Sequence, residues 1–224
     1  VTPGRLLVFE GPEGAGKTTQ ITRLAELLGS RDVAHLIVRE PGGTPTGEAI
    51  RTLLLRPEGD MAPTTEALLF LASRAEHVAR VIRPALAEGR LVIADRFFLS
   101  TYAYQIAGRG LDESAVRAAN ALAIGGLRPD LTLLLLHRAA EGLARADRRG
   151  TRDRMERADD AFHERVAAAF DMFATRGWQR EHPESGPIAS IDASGTPEAV
   201  SEQMLALLAE RWPETFPVLR GSDR

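Results

Sequence analysis

Residues 9–19, Phe-Glu-Gly-Pro-Glu-Gly-Ala-Gly-Lys-Thr-Thr, fit the pattern G-x-x-x-x-G-K-[ST] at every fixed position, which dictates the fold around them. The run Arg5–Glu10 before the glycines reads as a short apolar strand. Beyond Lys17, residues Ile21, Leu24, Ala25, Leu27 and Leu28 recur at helical spacing. A loop between a strand end and a helix N-terminus points successive backbone N–H groups at one spot, where the helix dipole also favours negative charge. Glycines let that backbone close around phosphate oxygens without a Cβ in the way. Gly11, Pro12, Glu13, Gly14, Ala15, Gly16, Lys17, Thr18 and Thr19 are therefore the expected triphosphate cradle. Lys17 is expected to reach the β- and γ-phosphates, and the Thr18 hydroxyl to ligate Mg²⁺. The implied ligand is a nucleoside triphosphate.

The rest of the chain supplies a sheet for that loop. Apolar runs at Leu6–Phe9, Ala34–Val38, Leu91–Ala94, Leu131–Leu136 and Pro187–Ile191 read as buried strands. Helical patterns lie between and after them at Thr64–Glu88, Ser114–Ile124, Asp159–Thr175 and Pro197–Glu210, the last with Thr196 as its expected cap. Strands that are apolar throughout, separated by helices, imply a parallel sheet covered on both faces. The expected fold is α/β in three layers, a five-stranded parallel sheet in a single domain over residues 1–211. Strand order is not legible in this pattern. Residues 212–224 carry two prolines and little periodicity, and read as an irregular tail.

Composition excludes several classes. A net charge of −3 argues against nucleic acid as the main ligand, since duplex binders carry a basic surplus. No apolar run approaches the roughly 18 residues of a membrane span. Cysteine is absent, which removes disulfides and thiolate metal sites. The first residues lack the basic-then-apolar layout of a secretion signal, so a cytoplasmic protein is expected.

Four clusters narrow the chemistry. Arg39-Glu40-Pro41-Gly42-Gly43-Thr44 follows the second strand, and in an open α/β sheet that places it beside the phosphate loop. Phe70 and Arg74 are one helical turn apart and share a face, so a ring and a guanidinium can together stack on a base and donate to its carbonyl. Asp95 ends an apolar strand, where an acid can orient Mg²⁺ or its waters, and Arg96 next to it is a fixed cation suited to a phosphate monoester. Finally Arg145, Arg148, Arg149, Arg152, Arg154 and Arg157 fall within 13 residues, where a lid can carry cations to a moving phosphoryl group.

Together these clusters resemble the thymidylate kinase family. The first matches its R-E-P-G-G-T loop. The stretch from Asp95 to Gln105 matches D-R-[YF]-x-x-S-x-x-A-Y-Q in full, and Arg145, Arg149, Asp153, Arg154 and Glu156 fall on R-x-x-x-R-G followed by D-R-x-E. The motifs run in the family's order over roughly Arg5 to Glu210. The resemblance implies a P-loop NTPase fold with an arginine-rich lid at about 142–157, and transfer of the γ-phosphoryl of Mg·ATP to dTMP. It assigns catalysis to Lys17, Arg96, Glu13, Arg149 and Arg154. It assigns the acceptor to Glu40, Pro41, Phe70, Arg74, Arg96, Thr101, Tyr104 and Gln105, and the metal to Thr18 and Asp95. Phe70 would stack on thymine, Arg74 would bond its exocyclic oxygen, Thr101 would face the base, and Tyr104 would pack on the deoxyribose.

With Gly14 in the loop and arginines in the lid, the chain is similar to the common bacterial type. The family is commonly homodimeric, and the helix Thr64–Glu88 is the expected interface. One departure is visible. The family's strand before the lid commonly ends in L-D-V, whereas this chain has Leu135-Leu136-His137-Arg138, and His137 reads as a strand-end surface residue. Other nucleoside-monophosphate or deoxynucleoside kinases share the sheet, and a nucleotide-driven switch shares the loop.

Overall fold

In β1 (Arg5–Glu10) successive side chains are apolar and buried alike, because the strand carries a helical layer on each face. Leu6 and Val8 enter one core, and Leu7 and Phe9 the other. β3 (Leu91–Asp95) and β4 (Leu131–Leu136) divide the same way. Val92, Ala94 and Leu134 face the first core, while Leu91, Ile93, Leu131, Leu133 and Leu135 face the second. With β2 (His35–Arg39) and β5 (Ile188–Asp192) they form a five-stranded sheet of order β2-β3-β1-β4-β5, each adjacent pair parallel. This computed structural model describes residues 4–56, 60–137, 154–155 and 158–216. Apart from Arg154 and Met155, the segment 142–157 that reads as a lid lies outside them, as do residues 217–224.

The second core is closed by α1 (Lys17–Gly29), through Ile21, Leu24 and Leu28, and by the last helix, Pro197–Arg211. The first is closed by the helical run that continues α3 (Pro63–His77), by α6 (Glu113–Ile124) and by α7 (Asp160–Phe173). The expected rod Thr64–Glu88 is α3 followed by a π-helical turn, Val78–Ile82, and α4 (Arg83–Ala87). The widened turn comes just before Pro84, which has no N–H to add to the ladder. Capping trims another expectation: Asp159 accepts from Phe162 N at 2.7 Å, so α7 starts after it. Thr175 begins a separate helix, α8 (Arg176–Glu181), instead of ending α7. Thr196 accepts from Ala199 N at 3.3 Å and caps α9 (Pro197–Arg211), as its position implied.

Two elements had no periodic signal. α2 (Pro45–Leu55) opens with small and polar residues, and α5 (Phe98–Thr101), continued by a π-helical stretch Tyr102–Gly108, is apolar on nearly every side. The described part of the tail, residues 212–216, is turn and bend, yet packed. Trp212 and Phe216 are buried in the second core, with the Arg5 guanidinium 5.0 Å from the Trp212 ring centre. Among the described residues no helix is long and apolar enough to cross a membrane.

A glycine loop after the central strand of such a sheet, running into α1, is the P-loop NTPase fold. Its stability leans on β1. Phe9→Ala, which empties a fully buried site, should cost about 3–5 kcal/mol in urea denaturation, given the usual price of a large core truncation.

Candidate active site

β1 and β3 end level, with Phe9 paired to Asp95, so the glycine loop and the Asp95–Arg96 turn emerge side by side. Gly11 leaves β1 at φ 140 and lies so close to β4 that a Cβ there would be driven into the Leu135 carbonyl. Gly16, at φ 81, turns the chain into α1. Lys17 folds back over the loop, its Nζ donating to the carbonyls of Gly11 and Pro12, each at 2.8 Å. Burial pushes this ammonium down to about 7, and Arg96 adds repulsion that Asp95, Glu10 and Glu13 only partly offset. A phosphate chain in the loop would restore its charge.

The Thr18 hydroxyl donates to Asp95 Oδ2 at 3.3 Å. These two hard oxygen groups beside a phosphate cradle suit Mg²⁺, which takes few protein ligands and fills its shell with phosphate oxygens and water. Among the described residues there is no cluster of three or more His, Cys, Asp or Glu that could hold a metal.

Arg96 occupies the left-handed region at φ 71, which is rare for a side chain of its size. Its Nη1 donates to Gly11 O at 3.3 Å and to Ser100 Oγ at 3.0 Å, and its guanidinium lies 5.3 Å from the Tyr104 ring centre. Burial opposes the charge. Tyr104, Glu13, Glu10 and Asp95 outweigh that and hold the group above the ordinary arginine range. The Tyr104 hydroxyl donates to Glu13 Oε1 at 3.3 Å, joining the loop acid to the same cluster. Beneath them Glu10 accepts from Phe97 N (2.8 Å), Ser100 N (3.0 Å) and Ser100 Oγ (2.6 Å), tying the start of α5 to the end of β1. Burial raises the Glu10 pKa, and Arg96 and these donors pull against it.

The Arg74 guanidinium is fully buried and nearly saturated. Nε donates to Glu40 Oε2 at 2.7 Å, Nη1 to Thr101 Oγ1 (3.0 Å) and Asn120 Oδ1 (2.8 Å), and Nη2 to Phe97 O (3.0 Å). Of five N–H groups, one on Nη2 remains for a ligand among the described residues. Burial lifts Glu40 to about 7 although Arg74 pulls the other way, and its Oε1 has no partner among the described residues.

These groups surround one cavity of about 510 Å³, within the range of small-ligand sites. Glu13 to Thr18 line one part of it, and Glu40, Pro41, Phe70, Arg74, Asp95, Arg96, Thr101, Tyr104 and Gln105 the rest. Gly11, Pro12 and Thr19 stand outside the lining. Arg154, expected among the phosphate-binding cations, is not part of it either. Its Nη1 is held by Glu66 at 2.7 Å and its Nε by Leu54 O at 2.9 Å, an anchoring position that a side chain already paired with a buried carboxylate favours. Arg149 lies outside the described residues.

Several residues had escaped the sequence reading. Arg51 and Leu55 line the cavity from α2, and Glu10 and Asn120 act through partners about 90 and 46 positions away, with no local mark. His137, read as a surface residue, places Nε2 2.9 Å from the Glu13 carbonyl and so braces the phosphate loop from behind.

The thymidylate kinase family model matches residues 9–203. The thymidylate kinase of Cereibacter sphaeroides (strain ATCC 17029) is 49% identical over 212 residues, 92% of this chain and 94% of the relative. That of Pseudomonas putida (strain GB-1) is 46% identical over 206 residues, covering 92% and 95%. That of Alcanivorax borkumensis is 42% identical over 213 residues, covering 94% and 99%.

The state of Lys17 makes a measurable prediction. At pH 8 the empty protein holds it largely neutral, because its pKa sits at about 7, and phosphate oxygens should protonate it. Calorimetric titration of a non-hydrolysable ATP analogue at pH 8, in buffers of different ionisation enthalpy, should show uptake approaching one proton, less at pH 6. Affinity should fall as pH rises above about 7. Proton-neutral binding at pH 8 would separate Lys17 from the phosphates.

Proposed function

Because the chain belongs to the thymidylate kinase family, we propose that this one cavity seats dTMP and ATP end to end, with Arg96 at their junction. The reaction is ATP-dependent phosphorylation of dTMP to dTDP. Residues 1–211 act in it as one kinase domain, with a lid at about 142–157. The observation that carries this seating is the strained Arg96, fixed between a carbonyl of the phosphate loop and the serine of α5. Backbone strain at a partly buried cation persists where the surroundings over-determine it, and such sites cluster at functional centres.

The acceptor phosphate is already anionic near neutral pH, since its second pKa is about 6, and needs no strong base. Alignment and charge neutralisation carry the step. Lys17 binds the transferring group, and the loop N–H groups of Gly11 to Thr19 cradle the triphosphate. Arg96 grips the acceptor phosphate, and Glu13 faces the sugar or a metal-bound water. Mg²⁺, held by Thr18 and oriented by Asp95, supplies charge neutralisation on the phosphates when bound. Arg149, outside the described residues, contributes a further cation.

At the other end Phe70 stacks on thymine and the last Nη2 hydrogen of Arg74 meets its carbonyl. Glu40 and Pro41 bound that end, and Thr101 and Gln105 face the base. Tyr104 closes the space beside the deoxyribose. The cytoplasm, which holds ATP, is the compartment this reaction suits, and a cysteine-free chain is compatible with it.

A homodimer is part of the proposal. Leu53 on α2, Leu68 on α3 and Leu122 on α6 are 50%, 56% and 86% exposed on neighbouring helices, an apolar surface that a second copy would cover. Sedimentation should show a dimer for the parent chain and a monomer for Leu122→Glu. A monomeric parent chain would end this part of the reading.

For the chemistry, Arg96→Ala should lower kcat/KM for dTMP by roughly 10²–10³, the scale of one oriented charged donor. The assay should include dUMP, dCMP, AMP, GMP and thymidine as acceptors. Near-parental turnover of dTMP by Arg96→Ala would remove the residue from the acceptor site.

A further inference from the structure

Glu66 is fully buried on α3, yet its carboxylate accepts from three side chains brought from two distant places. Gln105 Nε2 donates to Oε1 at 2.9 Å. Arg109 donates through Nε to Oε1 at 3.2 Å and through Nη2 to Oε2 at 3.1 Å, and Arg154 donates through Nη1 to Oε2 at 2.7 Å. The Nε of Arg154 holds the Leu54 carbonyl on α2. Both guanidiniums also touch the Met155 sulfur, at 3.9 Å and 3.8 Å. Met155 is 5% exposed and lines the cavity together with Leu55, Phe70 and Gln105.

We infer that Glu66 is a positioning residue for the acceptor pocket, which through Arg154 and Arg109 seats Met155 as an apolar wall against a flat, uncharged pyrimidine base. The inference deepens the dTMP reading and rests on it. Glu66, Phe70 and Arg74 recur every fourth residue on α3, so one face of one helix sets the wall, carries the stacking ring and presents the hydrogen-bond donor. A carboxylate that served only to clamp α3 to the Tyr102–Gly108 turn would be satisfied by Gln105 and Arg109. The added pairing with Arg154 holds that residue and Met155, two described residues that lie outside any helix or strand. Buried ion pairs add little net stability but are demanding in geometry, which suits placement of a wall.

Steady-state kinetics on the full chain test this. Glu66→Gln should raise KM for dTMP about tenfold, the scale of a misplaced positioning contact, with KM for ATP within about twofold. Met155→Ala should raise KM for dTMP with little change in Tm. The double variant should be no worse than the stronger single one, because both act through one wall. Arg154→Gln, which tests the link if Glu66→Gln does not fold, should likewise act on KM for dTMP.

The inference is overturned by any of three results. They are unchanged KM for dTMP in Met155→Ala or Arg154→Gln, additive effects in the double variant, or a fall in kcat alone for Arg154→Gln, which would return that arginine to the phosphates. A parent chain that does not consume dTMP would sink the proposed function itself. An active parent with indifferent variants sinks only the role of Glu66.

Discussion

The guanidinium of Arg96 is the contact on which the site turns. Arg96 N donates to Phe9 O at 3.0 Å, continuing the β1–β3 ladder one step past the sheet, and the chain then bends through a left-handed residue into α5. A backbone so placed costs about 1–3 kcal/mol and needs compensation nearby. The compensation is visible: Gly11 O and Ser100 Oγ on Nη1, the Tyr104 face, and acids at Glu10, Glu13 and Asp95. One residue thereby ties the phosphate loop, the end of β3 and the acceptor helix into one body.

Burial dominates the electrostatics of that body: it drives Lys17 down to about 7, lifts Glu40 to about 7 and raises Glu10, in each case disfavouring the charged form. On the proposed function, phosphate oxygens arriving over the loop would reverse the balance for Lys17, and donors already in place would leave little reorganisation as charge moves from one phosphate to the next.

What was legible in the sequence was whatever is local. Each strand announced itself by a mainly apolar run, the loop by its glycines, and α9 by Thr196 and Pro197. The order β2-β3-β1-β4-β5 was not, because buried strands look alike on both sides and pairing is a long-range choice. α5 and the turn after it escaped because apolar side chains surround them and leave no period to read. The family resemblance placed Phe70, Arg74, Arg96 and Tyr104 around the cavity they do line. It could not show that Asn120, 46 residues on, would hold Arg74, or that Glu66 would claim Arg154 across 88 residues. His137 differs again: its strand-end position gave no hint that its imidazole would sit against the Glu13 carbonyl. A donor on that oxygen polarises the peptide shared with Gly14 N–H, a group that lines the cavity in the proposed phosphate cradle.

Three buried glutamates then share a logic. Glu10 anchors the turn that carries Arg96, Glu40 orients Arg74, and Glu66 gathers Arg109 and Arg154. For Glu40 and Glu66, replacing the whole carboxylate–arginine cluster with hydrophobic residues of similar volume would serve the fold about as well, since a buried pair roughly breaks even against desolvation. What a leucine cannot do is fix the direction of a guanidinium, whose planar fork meets a carboxylate in few orientations. In each case the arginine or the turn it pins reaches the cavity wall: Arg96 by the loop, Arg74 at the far end, and Met155 beside Arg154. The carboxylates are therefore best understood as the parts that set angles in the site, and the apolar sheet beneath as the part that supplies the stability they do not.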